Sequence, residues 1–231
     1  MKKVFRDTLP VLVGYLFLGF GFGILLVERA HHNAIWAFFM SLAVYAGSGQ
    51  YVAVDLMAQG ATLINSFIAI LLVNARHLFY GISLLGTYKN AGKKKPYMIF
   101  ALTDETYSLV SQAQPPEGMS ESRYCFLVSL CDHIYWIAGC VLGALAGQLP
   151  INYSGVEFVM TALFVTLFTE QWCSQKDHRP ALIGVLSTTV CLVVCRLIGL
   201  KDYFLISSMA VIAIALVVMR KTGKEAAQDA A

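Results

Sequence analysis

The stretch Asn74-Ala75-Arg76-His77-Leu78-Phe79-Tyr80-Gly81 lies in the middle of an apolar run from Ala61 to Leu85. That run is too long and too apolar for a helix of a soluble domain, and it reads as a membrane crossing. An ionisable group at such depth costs about 2.5–3.5 kcal/mol on insertion scales unless it faces a bundle interior or a watered cavity. At about 1.5 Å per residue, Arg76 stands about 20 Å from Lys89, which makes snorkelling to that end hard. At about 100° per residue, Arg76, Tyr80 and Ser83 share one stripe of a continuous helix, with His77 and Asn74 beside it. Such a stripe marks either a functional polar site or an arginine that locks two helices through a carboxylate.

The rest of the chain has the same character. Of its 231 residues 58% are hydrophobic and 13% charged, against about 45–50% apolar and about 25% charged in an ordinary soluble domain. The expected fold is an all-α polytopic membrane protein of about six to eight helices with broken or re-entrant segments and an inverted repeat. It is expected to form one membrane domain over residues 1–231, with a short cytoplasmic N-terminus (1–8) and a polar tail (220–231). The net charge of +3 is spread over loops and tails, which speaks of orientation in a bilayer rather than of nucleic acid. The cysteines Cys125, Cys131, Cys140, Cys173, Cys191 and Cys195 lie in or beside apolar runs without a C-x-x-C pair, and read as small core residues.

Upstream, Lys2, Lys3 and Arg6 precede the run Leu9–Val27. It exceeds the roughly 7–15 apolar residues of a signal peptide and ends in Glu28-Arg29, so it is expected to remain as a first span. Its Gly19 and Gly23 are expected to let another helix approach closely. The run Ala34–Met57 is interrupted by Tyr45-Ala46-Gly47-Ser48-Gly49-Gln50-Tyr51. Two glycines around a serine predict either a broken helix whose freed backbone lines a cavity, or a tight glycine crossing. Tyr88 to Lys95 form a basic loop expected on the cytoplasmic side. The run Tyr97–Val110 holds Leu102-Thr103-Asp104-Glu105-Thr106, whose adjacent carboxylates must share a proton, find cations or meet water. In the run Tyr124–Gly147, Asp132 of Asp132-His133-Ile134-Tyr135-Trp136 lies near the stripe of Gly139, Gly143 and Gly147, so it faces protein. The runs Val156–Trp172, Ala181–Leu200 and Tyr203–Met219 follow. Arg196, close to a helix end, needs only to snorkel.

An offset of 56 residues sets Arg76–Tyr80 over Asp132–Trp136 and Gly47-Ser48-Gly49 over Thr103-Asp104-Glu105. Paired interruptions of this kind point to a transporter site at a repeat interface. Eight full spans with Lys2, Lys3 and Arg6 inside would leave Lys93, Lys94 and Lys95 outside, against the positive-inside tendency. Making the segments broken at Gly47-Ser48-Gly49 and around Asp104-Glu105 re-entrant removes that conflict. It leaves two units of opposite orientation, about Ala34–Tyr88 and Tyr97–Gly147; seven spans is the competing count.

No enzyme motif is found. Ser48 with a histidine suggests an intramembrane serine protease, but its Gly-x-Ser-Gly pattern needs glycine where Ala46 stands. H-E-x-x-H, Walker and dinucleotide motifs are missing, as are the repeated groups of a channel filter. No catalytic residue, metal or cofactor is expected.

Several stretches resemble, in one order along the chain, the motifs of the AzlC family: Tyr45–Gln50, Asn74–Leu84, Leu102–Thr106 and Asp132–Trp136. Gly155-Val156-Glu157-Phe158, Thr161–Phe164 and Glu170-Gln171 continue the resemblance, which runs from Phe5 to Met219. It implies the large subunit of a branched-chain amino acid exporter, carrying valine, leucine, isoleucine and sometimes methionine. It further implies proton coupling, a small AzlD-type membrane subunit as partner, and a multi-pass place in the cell inner (plasma) membrane. One departure is Ser48-Gly49, where many relatives carry Ala-Ser, so the hydroxyl moves by one residue. For such a substrate, the backbone at Gly47, Ser48, Gly49 and Gln50, or Arg76 with Asn74, suits the carboxylate. Asp104 or Glu105 suits the ammonium, and Tyr80 and other aromatic residues the side chain. His77, Asp132 and His133 are the expected proton carriers, the unperturbed histidine pKa being about 6.5.

Overall fold

The computed structural model describes residues 1–89, 91–156, 158–174, 178–199, 207, 208, 210–212, 214 and 215. These form only helices, turns and loops: α1 Lys2–Ala30, α2 Ala34–Ala43, α3 Gly47–Ala58, α4 Leu63–Val73, α5 Arg76–Ser83, α6 Lys95–Phe100, α7 Asp104–Ser111, α8 Glu121–Gly147, α9 Phe158–Ser174 and α10 Arg179–Ile198, with a 3-10 turn at Gly92–Lys94. The run Tyr203–Met219 and the tail 220–231 lie largely outside the described residues. Among the described residues, three helices, α1, α8 and α10, are long and apolar enough to cross a membrane. Contacts divide the chain into two compact units, Met1–Thr161 and Ala162–Ala231.

The first unit is built on α1 and α8. The expected glycine packing is present, and α8 supplies the other half of it. A Cβ on Gly19 would stand 2.9 Å from the Cys140 nitrogen, and one on Gly139 would stand 2.6 Å from the Tyr15 carbonyl oxygen. Gly23 meets the backbone of Cys140 and Ala144, and Gly143 that of Phe20, more closely still. Only glycine permits such contact, in which backbones take the place of interdigitated side chains. Tyr15 faces Gly139, Phe20 faces Gly143 and Ile24 faces Gly147, so the two helices run parallel. Their N-terminal end, where Tyr124 donates to the Asp7 carboxylate at 2.7 Å, is called the near end below.

The other elements can be placed along this pair. α2 starts after the far end of α1 and reaches His133, in the middle of α8, whose Nε2 lies 3.2 Å from the Ser41 carbonyl. The chain turns at Val44-Tyr45-Ala46, and α3 returns to the far end, where Asp55 binds Arg29 at 2.5 Å. α6 and α7 form the matching hairpin from the near end. Met98 and Val110, one on each arm, are buried with Val4, Tyr124 and Val128, while the tip carries Thr103 to Tyr15. Between these hairpins α4 and α5 run from the far end to the near end, where Leu84 and Tyr88 join the same apolar cluster. The two stretches expected from the sequence thus each hold one hairpin and one segment running from end to end of the α1–α8 pair, entered from opposite ends.

Two expectations need correction. Ala61 to Leu85 is not one continuous helix: α4 stops at Val73 and α5 starts at Arg76. Asn74 is the C-cap, its backbone N–H bonded to the Ile70 and Leu72 carbonyls. In the earlier run, the break falls before the glycines, with Tyr45 rather than a glycine at positive φ (42°). Gly47 opens the returning helix. Among the cysteines, Cys125, Cys140 and Cys195 are buried but Cys173 is exposed.

Basic residues Lys2, Lys3, Arg6, Lys89, Lys93, Lys94, Lys95 and Arg123 gather at the near end by chain position, whereas the far end carries Glu28, Arg29 and Asp55. By the positive-inside tendency the near end is expected on the cytoplasmic side. In a background without native cysteines, Lys94→Cys should therefore resist an impermeant thiol reagent in intact cells and react after permeabilisation. Gly143→Leu should destabilise the fold by about 1–3 kcal/mol or more, since backbone cannot yield to it. Gly14→Leu, with open space around it, should not. Thermal unfolding of the two purified variants checks this.

Candidate functional site

Both hairpin tips and the α4–α5 break meet halfway along the α1–α8 pair. At the first tip, Ala46 precedes α3 without a side-chain cap. The N–H groups of Gly47, Ser48 and Gly49 therefore stand outside the i→i−4 ladder, at the positive end of the helix dipole. Ser48, Gly49 and Gln50 are all buried. The Asn74 amide lies against Gly49, 2.5 Å from where a Cβ would be, so the glycine is needed for this approach. Gln50 accepts from Trp136 Nε1 at 2.8 Å.

The second tip is finished differently. Thr103 caps α7 by accepting from the Thr106 N–H at 3.2 Å. Asp104 and Glu105 occupy the first turn, where negative charge is favoured. Tyr15 reaches across from α1, its hydroxyl 2.6 Å from Thr103 Oγ1 and 2.8 Å from Glu105 Oε2. Thr103 donates to Thr106 Oγ1 at 3.0 Å, and Thr106 to Asp132 Oδ2 on α8 at 2.8 Å. Asp132 is fully buried, and its Oδ1 has no partner.

His133 is held by the Tyr97 hydroxyl on Nδ1 (3.0 Å) as well as by the Ser41 carbonyl, and its ring lies 4.2 Å from that of Tyr45. His77 Nε2 stands 3.9 Å from Asp104 Oδ1. Tyr80 stacks on Tyr107 at 4.6 Å, toward the near end. Arg76 opens α5, but its side chain lies outside the described residues. The folded chain thus brings Gly47, Ser48, Gly49 and Asn74 together. It joins Glu105 to Asp132 through hydroxyls, sets His77 by Asp104, and holds His133 between Tyr45 of the first hairpin and Tyr97 of the second. Among the described residues, no group of three His, Cys, Asp or Glu side chains is placed to hold a metal ion.

Sequence reasoning missed Tyr15, Thr103, Thr106, Tyr45, Tyr97 and Trp136 as partners. Tyr15 left one usable trace, a hydroxyl alone within the apolar run Leu9–Val27, since such a group needs a hydrogen-bond partner when buried. The others sat beside residues already singled out, and nothing local said which neighbour would turn inward.

Comparison with known proteins adds the lineage. The model of the AzlC protein family matches residues 10–149. An uncharacterized membrane protein of Helicobacter pylori (strain ATCC 700392 / 26695) is 42% identical over 95% of both chains. The branched-chain amino acid transport protein AzlC of Bacillus subtilis (strain 168) is 38% identical over 95% of this chain and 85% of its own. The inner membrane protein YgaZ of Escherichia coli (strain K12) is 26% identical over 79% of this chain and 78% of its own. No solved structure matches. With a family match across both hairpins and full-length relatives this similar, the chain is a membrane protein of the AzlC family.

Proposed function

We propose that this protein is the large subunit of an exporter for branched-chain amino acids in the cell inner membrane, driven by protons and working with a small AzlD-type membrane subunit. The name of the Bacillus relative supports the substrate class, and that of the Escherichia relative the membrane. Both names speak of transport or membrane rather than catalysis.

The observation that carries this reading is the difference between the two helix N-termini at mid-depth. That of α3 receives no side-chain cap from Ala46 and holds no acid in its first turn, so it suits an incoming carboxylate. That of α7 is already capped and carries Asp104 and Glu105, which suit an ammonium. An α-amino acid presents both charges within a few ångströms. Its aliphatic side chain then has Tyr45, Trp136 and Phe22 to pack on, the last two rings being 6.4 Å apart. Arg76 and Gln50 remain in the proposed carboxylate set, Tyr80 in the aromatic one, and His77, Asp132 and His133 in proton handling.

Cells loaded with branched-chain dipeptides should release valine, leucine or isoleucine faster when this chain and its small partner are made together. Equal intracellular accumulation with and without the pair counts against export, and release of acidic or basic amino acids instead moves the substrate class. At the site, Asp104→Asn and Asp132→Asn should each lower export while the protein still reaches the membrane. Arg76→Ala should do the same. If Arg76 pairs with one of these acids, removing both should harm less than the single losses combined, because a buried unpaired charge is the worst case. Wild-type export in all three single variants would remove these residues from the mechanism.

A further inference from the structure

Glu105 and Asp132 are joined by an unbroken row of oxygens: Glu105 Oε2, Tyr15 Oη, Thr103 Oγ1, Thr106 Oγ1 and Asp132 Oδ2. The contacts measure 2.8, 2.6, 3.0 and 2.8 Å in that order. Each contact is short enough to need a hydrogen between its two oxygens. Each of the three hydroxyls supplies one hydrogen. With both carboxylates ionised, three hydrogens would have to cover four contacts, and one pair of oxygens would face each other with lone pairs only. With both protonated, five hydrogens would face four contacts, and one acid would have to turn its hydrogen out of the row; at Asp132 that means toward Oδ1, which is buried without a partner. With one shared proton, four hydrogens fill four contacts.

We propose that Glu105 and Asp132 hold one proton between them and pass it through Tyr15, Thr103 and Thr106. When the proton is on Glu105, every hydrogen points toward Asp132: Glu105 donates to Tyr15, Tyr15 to Thr103, Thr103 to Thr106, and Thr106 to the Asp132 carboxylate. For transfer, the Glu105 O–H bond breaks as Tyr15 accepts that hydrogen and releases its own to Thr103. Thr103 does likewise to Thr106, and Thr106 gives its hydrogen to Asp132. One O–H bond is lost at Glu105 and one is gained at Asp132. The reversed row satisfies every contact equally well, and Thr103 still accepts from the Thr106 N–H in both directions.

The two ends differ in access. Asp132 is fully buried while Glu105 is half-buried, so the row links a sealed proton position to one within reach of the tip region. The titratable groups around it are Tyr45 from the α2–α3 tip, Tyr97 from α6, Asp104 beside Glu105, and Cys131, His133, Tyr124 and Tyr135 on α8. The Tyr45 hydroxyl lies beside Tyr15 and Thr106 and flanks the row, whose three middle residues are all buried. Use of this proton to drive substrate rests on the function proposed above; the shared proton itself does not.

Two measurements decide the matter. In the purified full-length chain, the infrared carbonyl band of protonated carboxyl groups should shift in part with 13C-labelled glutamate and in part with 13C-labelled aspartate. The first part should vanish in Glu105→Gln and the second in Asp132→Asn. Thr106→Val should leave the band sensitive to one label only, and Thr106→Ser should restore both. A wild-type band that answers to one label or to neither, or one that Thr106→Val leaves as it was, overturns the shared proton. In proteoliposomes holding the chain with its partner, Tyr15→Phe and Thr106→Val should lower flux driven by a pH gradient by about a hundredfold, and by more than they lower substrate exchange. Equal losses in both modes would mean a structural role only and overturn the relay. Absence of branched-chain amino acid transport by the wild type would instead sink the proposed function, and the infrared result would still decide the relay.

Discussion

The close approach of α1 and α8 is the constraint on which the first unit depends. Leucine-sized side chains hold helices about 8–10 Å apart, and lipid tails offer no hydrophobic penalty that would drive such helices together. Gly19 and Gly23 on one side and Gly139, Gly143 and Gly147 on the other remove the side chains where the backbones meet. Dispersion contact and buried backbone replace knobs and holes. The same contact fixes the register, because a shift of one residue would bring Phe20 or Leu142 against backbone.

Register in turn decides where polar groups lie. Tyr15, one turn below Gly19, and Asp132 with Trp136, one or two turns below Gly139, end on the faces that the hairpin tips close. Helical backbone can be interrupted at membrane depth only when it is surrounded by protein or water. Here the α1–α8 pair together with the opposite tip surrounds each hairpin tip, and the break at Asn74 lies against Gly49 of α3. Tyr45 shows the cost of this arrangement: a bulky residue at φ 42° is strained by about 1–3 kcal/mol. Burial of its ring against His133 helps to offset that.

How much was legible follows from the kind of signal each feature leaves. The glycine stripes on both helices, the buried face of Asp132 and the existence of breaks near Gly47 and Thr103 were readable because periodicity and helix-weakening residues are local. That the lysine loop lies at the same end of the first unit as the N-terminus was also readable, but only through charge: Lys93, Lys94 and Lys95 were expected with Lys2, Lys3 and Arg6. The break at Asn74 was not, since one asparagine in an apolar run is compatible with a continuous helix. At the break the Asn74 amide lies against Gly49, which is a contact between distant parts of the chain. Tyr15 and Thr106 were missed for the same reason. A hydroxyl in an apolar run announces a need for a partner without naming it, and here the partners lie 88 to 90 residues away for Tyr15.

The oxygen row also belongs to two bodies rather than one. Tyr15 and Asp132 sit on helices whose backbones are in contact, so they move together. Thr103, Glu105 and Thr106 sit on the α6–α7 tip. Only the Thr103–Thr106 contact lies within one body; the contacts of Tyr15 with Thr103 and Glu105, and of Thr106 with Asp132, cross between the two. A displacement of the tip by about 1 Å would carry O···O distances of 2.6–2.8 Å past hydrogen-bond range together. The row is therefore complete only when the tip is seated. In a carrier that alternates by moving one segment against a fixed frame, proton passage is then confined to one position of that segment. That confinement is what coupling requires: a proton able to cross in every position would dissipate the gradient, and one able to cross in none could drive nothing.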